Sequence, residues 1–88
     1  QVYQQSLIVL DLSVEISEKI PRGHRQFADQ LKRASSSVCL NVAEGVGEYR
    51  PREKARFYRI ALHSNSESCS IIQILHRLKI IDSYKYSK

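Results

Sequence analysis

The highest concentration of charge in the sequence lies in residues 50–59, which read RPREKARFYR. Five of these ten residues are basic and one is acidic. On a helix, Arg52, Arg56 and Arg59 follow one another at i, i+4 and i+7, so their side chains share one face. Guanidinium donors match phosphate oxygens two at a time, which predicts a nucleic-acid-binding stripe. The candidate residues of this stripe are Arg50, Arg52, Lys54, Arg56 and Arg59.

Two features bear on whether this stripe has a function. Tyr49 and Tyr58 supply aromatic rings that stack on bases if the partner is single-stranded. Positive charge at the start of a helix opposes the helix dipole, so its repeated use favours a functional demand. The alternative is a solvated basic helix start balanced by acids on the first helix or on a neighbouring subunit. Lys32 and Arg33 form a second, weaker candidate pair, for which ordinary surface charge is the favoured interpretation.

A polar group of three residues is predicted to have a structural role. Asn41 falls on an apolar helix seam, and Glu44 follows it three residues later. Buried polar groups need hydrogen-bond partners, and they often fix register and oligomeric state. Glu67, on the facing helix, is expected to pair either with a basic residue or with Asn41.

No catalytic, cofactor or metal site is predicted. His63 and Glu67 have metal-capable spacing, but zinc needs four ligands, and a di-metal bundle needs several carboxylates and two Glu-x-x-His elements. The sequence contains no glycine-rich phosphate loop, paired carboxylates or nucleophile motif. Cys39 and Cys69 are interpreted as small apolar core residues. We therefore expect a protein that is not an enzyme.

These residues must be positioned by helices, which the apolar spacing predicts over residues 2–20, 24–46 and 51–79. Residues 10–17 also alternate as a strand does, but nineteen residues without a turn signal are too long for a typical strand. Pro21 and Gly23 separate the first two helices, and Pro51 suits the first turn of the third. The predicted seam of the first helix has two rows, Tyr3, Leu7, Leu10 and Val14 beside Val9, Leu12, Ile16 and Ile20. The predicted seam of the second helix is Phe27, Leu31, Ala34, Val38, Asn41 and Gly45. The predicted seam of the third helix is Phe57, Ala61, Ser64, Ser68, Ile71, Leu75 and Leu78.

Long helices with short connectors predict an all-α, antiparallel up-down bundle that forms a single domain over residues 1–88. Asp82 is expected to start a fourth helix that is largely missing from this chain. A chain this short buries only about 60–65% of its unfolded surface, and two cysteines are too few for a disulfide framework. Self-association is the remaining way to stabilise such a small core, so a homo-oligomer is expected. The chain begins at Gln1 and contains no Met, so we expect it to be a trimmed or partial product.

Several stretches together carry a resemblance to a known family. They are 30–35 (QLKRAS), 40–47 (LNVAEGVG), Lys54, 56–57, 59–61, Ser64, Glu67, Leu78, Ile81 and Asp82. Residues 2–84 thereby resemble the four-helix-bundle proteins encoded within 23S ribosomal RNA intervening sequences. The resemblance implies an up-down-up-down bundle that assembles into a ring, with a pentamer favoured. A more distant resemblance is to the accessory variability determinant of diversity-generating retroelements, a basic pentamer that binds nucleic acid and a reverse transcriptase.

The net charge of +5 suggests an anionic partner. No apolar run approaches the ~20 residues that span a bilayer, and no signal-peptide pattern is present, which predicts a cytoplasmic protein without a membrane partner. The predicted function is therefore binding of RNA or another nucleic acid by a non-enzymatic oligomeric bundle. The alternative is an assembly or adaptor protein that binds another protein through its ring or an apolar groove.

Overall fold

The computed structural model describes residues 2–81, which form three packed helices. These are α1 (Val2–Glu18), α2 (Arg25–Gly47) and α3 (Pro51–Arg77), with a short 3-10 helix, Arg22–His24, before α2. The predicted helices are confirmed with ends displaced by no more than two residues. Within the described range there is no strand, so the alternating residues 10–17 belong to α1. The expected start of a fourth helix at Asp82 lies outside the described residues.

The helix breaks follow from local chemistry. Pro21 has an extended conformation, with φ −61° and ψ 156°, and it separates α1 from the 3-10 helix. Pro51 occupies the first turn of α3, where its missing N–H is not needed. Lys79 adopts a left-handed φ of 61°, and the N–H of Ile80 donates to Leu75 O at 2.9 Å. This is the bond of a Schellman motif, which ends α3 with a lysine where glycine is usual.

The core is organised around α2, which packs against both α1 and α3. One apolar cluster joins Ile16 of α1, Leu31 of α2 and Leu75 of α3. A second cluster joins Val38 and Val42 of α2 to Ala61 of α3, with Tyr3 packed alongside. The end of α1 and the end of α3 therefore both meet the first half of α2. These pairings are compatible with the predicted up-down order.

The predicted apolar face of α1 is partly wrong. Leu7 and Leu12 are exposed, whereas Ser6, Ser13 and Ser17 are buried beside Ile16. Small side chains let α1 approach α2 closely, which favours serine over leucine at the contact. Two of these hydroxyls donate within the helix: Ser6 Oγ to Tyr3 O at 2.6 Å, and Ser17 Oγ to Ser13 O at 2.7 Å. A buried hydroxyl of this kind keeps a hydrogen-bond partner.

The seams of α2 and α3 are largely confirmed. Leu31 and Leu75 are fully buried, and most of the predicted positions between them and the α2–α3 loop are buried, with Asn41 and Phe57 half-buried. Leu78 is the exception on α3, because it is more than half exposed after the helix ends. Cys39 is buried as expected, but the core assignment of Cys69 is wrong because that side chain is exposed.

Candidate nucleic-acid interface

The basic segment 50–59 is held in place by the corner between α2 and α3. Gly45, in the last turn of α2, lies against Tyr58 of α3, and a Cβ built on Gly45 would come within 2.5 Å of the Tyr58 ring. Any side chain at this position would push the ring away. The glycine therefore sets how closely α2 and the first turns of α3 pack.

Lys54, one of the predicted phosphate-binding residues, is part of this corner. Its Nζ donates to Gly45 O at 2.7 Å and lies 5.8 Å from the centre of the Tyr58 ring. The same carbonyl also accepts from the N–H of Glu48 at 3.3 Å, so Lys54 adds a second, shorter hydrogen bond at the end of α2. Lys54 thus ties α3 to the end of α2, and its half-buried stem is used in packing.

Two of the five candidate cations already have a carboxylate partner within the chain. Arg50 Nε donates to Glu48 Oε2 at 2.8 Å, and Arg50 Nη2 donates to Glu48 Oε1 at 3.3 Å. Arg56 Nε donates to Glu53 Oε1 at 2.7 Å and its guanidinium lies 4.9 Å from the Phe57 ring centre. An external phosphate would have to compete with these carboxylates for the same donors.

The pair of Glu48 and Arg50 has a clear electrostatic consequence. The hydrogen bond from the Arg50 side chain, helped by the Arg50 backbone N–H, lowers the pKa of Glu48 from 4.5 to about 2. The same contact raises the pKa of Arg50. The carboxylate is therefore charged across the neutral range, and it cancels the charge of Arg50.

Arg52 and Arg59 are the two arginines of the segment that form no ion pair within the described part of the chain. Both side chains are exposed. They are seven residues apart, which places them about 10 Å apart along one face of α3. Within the predicted stripe, these two are the arginines without a carboxylate partner in residues 2–81, and the paired Arg56 lies between them.

Lys32 and Arg33 do not join this stripe. They are exposed in the first half of α2, about 20 Å along the helix from Gly45. Lys32 borders a cleft of about 250 Å³ between α1 and α2, which also contains two carboxylates and two arginines that the sequence analysis did not single out. The charged lining residues are Glu18, Arg22, Arg25, Asp29 and Lys32. The sequence feature that could have indicated this group is the clustering of basic residues around the helix break at Pro21.

The polar seam consists of a short hydrogen-bond network between α2 and α3. Asn41 Nδ2 donates to Ser37 O at 2.8 Å and to Ser37 Oγ at 3.1 Å. Ser64 Oγ of α3 donates to Ser37 Oγ at 2.8 Å. Asn41 thus finds its partner on its own helix rather than on Glu67. Sequence reasoning missed the role of Ser37, because nothing in the sequence distinguishes it from the two serines that precede it.

The two acidic members of the predicted seam are outside this network. Glu44 is exposed on α2. Glu67 is exposed on α3 and borders a notch of about 190 Å³ opposite Arg33. Within residues 2–81, Glu67 forms neither a salt bridge nor a hydrogen bond with Asn41, so the structure does not bring the three residues together.

Neither a metal site nor a membrane span is present in the described residues. Their histidine, cysteine, aspartate and glutamate side chains form no group of three or more that could hold a metal ion. None of the helices in residues 2–81 combines the length and the apolar character that crossing a membrane requires.

Comparison with protein families gave a match over the whole sequence. The family model described as 23S rRNA-intervening sequence protein matches residues 1–88. Among the curated proteins, none matches this chain.

Proposed function

Because this chain belongs to the 23S rRNA-intervening sequence protein family, we propose that it is a non-enzymatic, oligomeric helical-bundle protein that binds RNA or another nucleic acid through a basic surface. The observation that carries the proposal is the exposed pair of Arg52 and Arg59. Both guanidinium groups lack a carboxylate within the described chain, whereas Arg50 and Arg56 have one. Free cations on a rigid helix can neutralise phosphates without first breaking an internal ion pair.

Binding of this kind is mostly electrostatic. Phosphate contacts fix position on the nucleic acid but carry no sequence information directly. Each neutralised phosphate releases condensed counterions, so the logarithm of affinity falls linearly with the logarithm of salt concentration. We therefore propose weak sequence specificity and a strong dependence on salt for this protein.

Assembly is supported by the apolar surface of the three helices. Large apolar side chains are exposed on each helix, and monomeric proteins rarely expose such surface in quantity. They include Leu7, Ile8 and Leu12 on α1, Leu40 and Val46 on α2, and Leu62 and Ile74 on α3. We propose that a fourth helix and neighbouring subunits of an up-down bundle ring cover them, with the pentamer favoured by the resemblance to the family.

The same exposed residues favour the second candidate function, an assembly or adaptor protein. A helix of another protein would lay its apolar face against them, and the basic residues would then serve that partner. This candidate predicts that removing the free arginines leaves RNA binding, if any, unchanged.

The test replaces Arg52 and Arg59 together with Gln and measures RNA affinity across a salt series. We expect weaker binding by a similar factor for unrelated sequences, and a salt slope that is shallower by roughly 0.7 to 0.9 for each phosphate that is no longer neutralised. The matched control replaces Arg22 and Arg25 with Gln, which removes the same charge from the opposite end of the molecule. Equal decreases in affinity for the two variants would show that net charge, and not this stripe, holds the RNA. An unchanged affinity in a still-helical Arg52/Arg59 variant would favour the adaptor function.

A further inference from the structure

Tyr49, in the loop between α2 and α3, is the most exposed large apolar side chain in residues 2–81. It is 86% exposed, compared with 38% for Tyr58, whose ring packs against Gly45 and Lys54. Within the described chain, the Tyr49 ring and hydroxyl make no ring contact and no hydrogen bond. An aromatic side chain left fully in water has its contact surface available for a partner.

The loop that carries Tyr49 is braced on both sides. On one side, the N–H of Glu48 donates to Gly45 O at 3.3 Å. On the other, the backbone N–H of Arg50 donates to Glu48 Oε2 at 3.0 Å, and Arg50 Nε donates to the same oxygen at 2.8 Å. Ordering a loop on binding costs free energy, and here the backbone around Tyr49 is ordered beforehand. The ring is therefore presented outward at little further cost.

Tyr49 is also close to one of the free cations. It lies three positions before Arg52, so the two Cα atoms are no more than about 11 Å apart. Arg52 is exposed and forms no ion pair within residues 2–81. An open aromatic face and a free guanidinium thus lie at the same corner, as in surfaces that hold a backbone phosphate and stack a base.

We propose that Tyr49 stacks on an unpaired base, so that the nucleic acid recognised at this corner is single-stranded. This rests on the proposed function. Base faces are covered by their neighbours within a duplex, and the deep, narrow major groove of an RNA helix does not admit side chains. Tyr49 can stack only where bases are splayed out, as in loops, bulges and ends. Arg52 binds the phosphate backbone beside it, and Arg59 extends this contact along α3.

The direct test uses Tyr49→Trp as a reporter, because the sequence contains no other Trp. Oligouridine and a fully paired RNA duplex of equal length are titrated into the full chain while Trp fluorescence is followed. We expect oligouridine to quench the fluorescence and the duplex to leave it almost unchanged.

Affinity measurements with Tyr49→Ala make the test quantitative. Stacking on one base predicts a decrease in affinity of about 5- to 150-fold for oligouridine and no decrease for the duplex. Tyr49→Phe should keep most of the affinity, because the ring carries the contact. The matched control is Leu78→Ala, which removes another exposed apolar side chain at the far end of α3 from this corner.

Three results would overturn the proposal. If the original chain binds RNA but Tyr49→Ala binds oligouridine equally well, stacking is wrong and the proposed function survives. If Tyr49→Ala lowers the molecular mass in sedimentation, Tyr49 belongs to an interface between subunits. If the original chain binds neither RNA, the proposed function fails together with this inference.

Discussion

The molecule has two corners, one where α1 connects to α2 and one where α2 connects to α3. They are similarly basic in sequence but differ in how their charges are arranged. At the α1–α2 corner, Arg22, Arg25 and Lys32 share one cleft with Glu18 and Asp29. At the α2–α3 corner, Glu48 and Glu53 are each bound to a particular arginine, and two other arginines form no ion pair within residues 2–81. The number of basic residues therefore does not identify an anion site. What matters is how the carboxylates are placed around the cations. Arg22, Arg25 and Lys32 also form no ion pair within residues 2–81, but they share their cleft with two carboxylates.

The corners also differ in how firmly they are built. The α2–α3 corner has a glycine that admits an aromatic ring, a lysine that caps the end of α2, and a two-residue ion pair across the loop. The α1–α2 corner has a proline and a 3-10 helix, with no side-chain cap on that helix. A surface that must hold phosphates at fixed positions benefits from the first construction, because the backbone that carries its cations is already held in place.

The largest effect that would separate the corners is expected from their glycines. Gly45→Ala places a Cβ 2.5 to 3.0 Å from three atoms of the Tyr58 ring, which must then move. Overpacking of this kind costs roughly 1 to 3 kcal/mol, of which the better helix propensity of Ala returns about 1. Gly23→Ala, with no atom within 4 Å of its Cβ, should change stability by less than about 0.5 kcal/mol. Urea denaturation of both variants measures the difference.

Equal stability of the two glycine variants would show that the Tyr58 ring relaxes freely and that the α2–α3 corner is less rigid than its contacts imply. A matched variant in the same helix sharpens the result. Gly47→Ala adds a Cβ that also meets nothing within 4 Å, so it should not destabilise the protein.

A smaller effect is expected from the two lysines. Lys54→Met keeps the apolar stem but removes the donor to Gly45 O, which should cost about 1 kcal/mol of unfolding free energy. Lys32→Met removes an exposed charge that forms no hydrogen bond or ion pair within residues 2–81, so its effect should stay within about 0.5 kcal/mol. Denaturant midpoints compare the two directly. If the Lys32 variant were destabilised as much as the Lys54 variant, the stabilising role of Lys54 would not be specific to the α2–α3 corner.

The helices were predictable because apolar spacing repeats over long segments and is interrupted by Pro21 and Pro51. The buried face of α1 was not. Sequence reasoning weights leucine over serine, whereas close packing against α2 favours the small side chains of Ser13 and Ser17. On this face of α1, the size of a side chain decides its burial more than its hydrophobicity does.

The basic segment was predictable as a region but not residue by residue. The spacing of Glu53 and Arg56 suggests an i, i+3 pair, but the pairing of Glu48 with Arg50 depends on the loop geometry. The role of Lys54 was also hidden, because its partner is a backbone carbonyl nine residues away. Sequence alone therefore cannot distinguish a free cation from one that is already used.

The smallest expected effect concerns pH at the α2–α3 corner. The pKa of Glu48 is lowered from 4.5 to about 2, first by the Arg50 side-chain hydrogen bond. Because the folded-state pKa is depressed, the pair stabilises the loop fully above pH 4.5, and this contribution disappears as the pH falls towards 2. A carboxyl-carbon NMR titration should place the Glu48 midpoint near 2, and Arg50→Gln should return it towards 4.5. Arg22→Gln, at the other corner, should leave the midpoint unchanged. Salt should weaken the shift, because the pair lies at the surface. A midpoint of 4.5 in the original chain would mean that the loop is not braced in solution, and Tyr49 would then lack the ordered backbone on which its stacking depends.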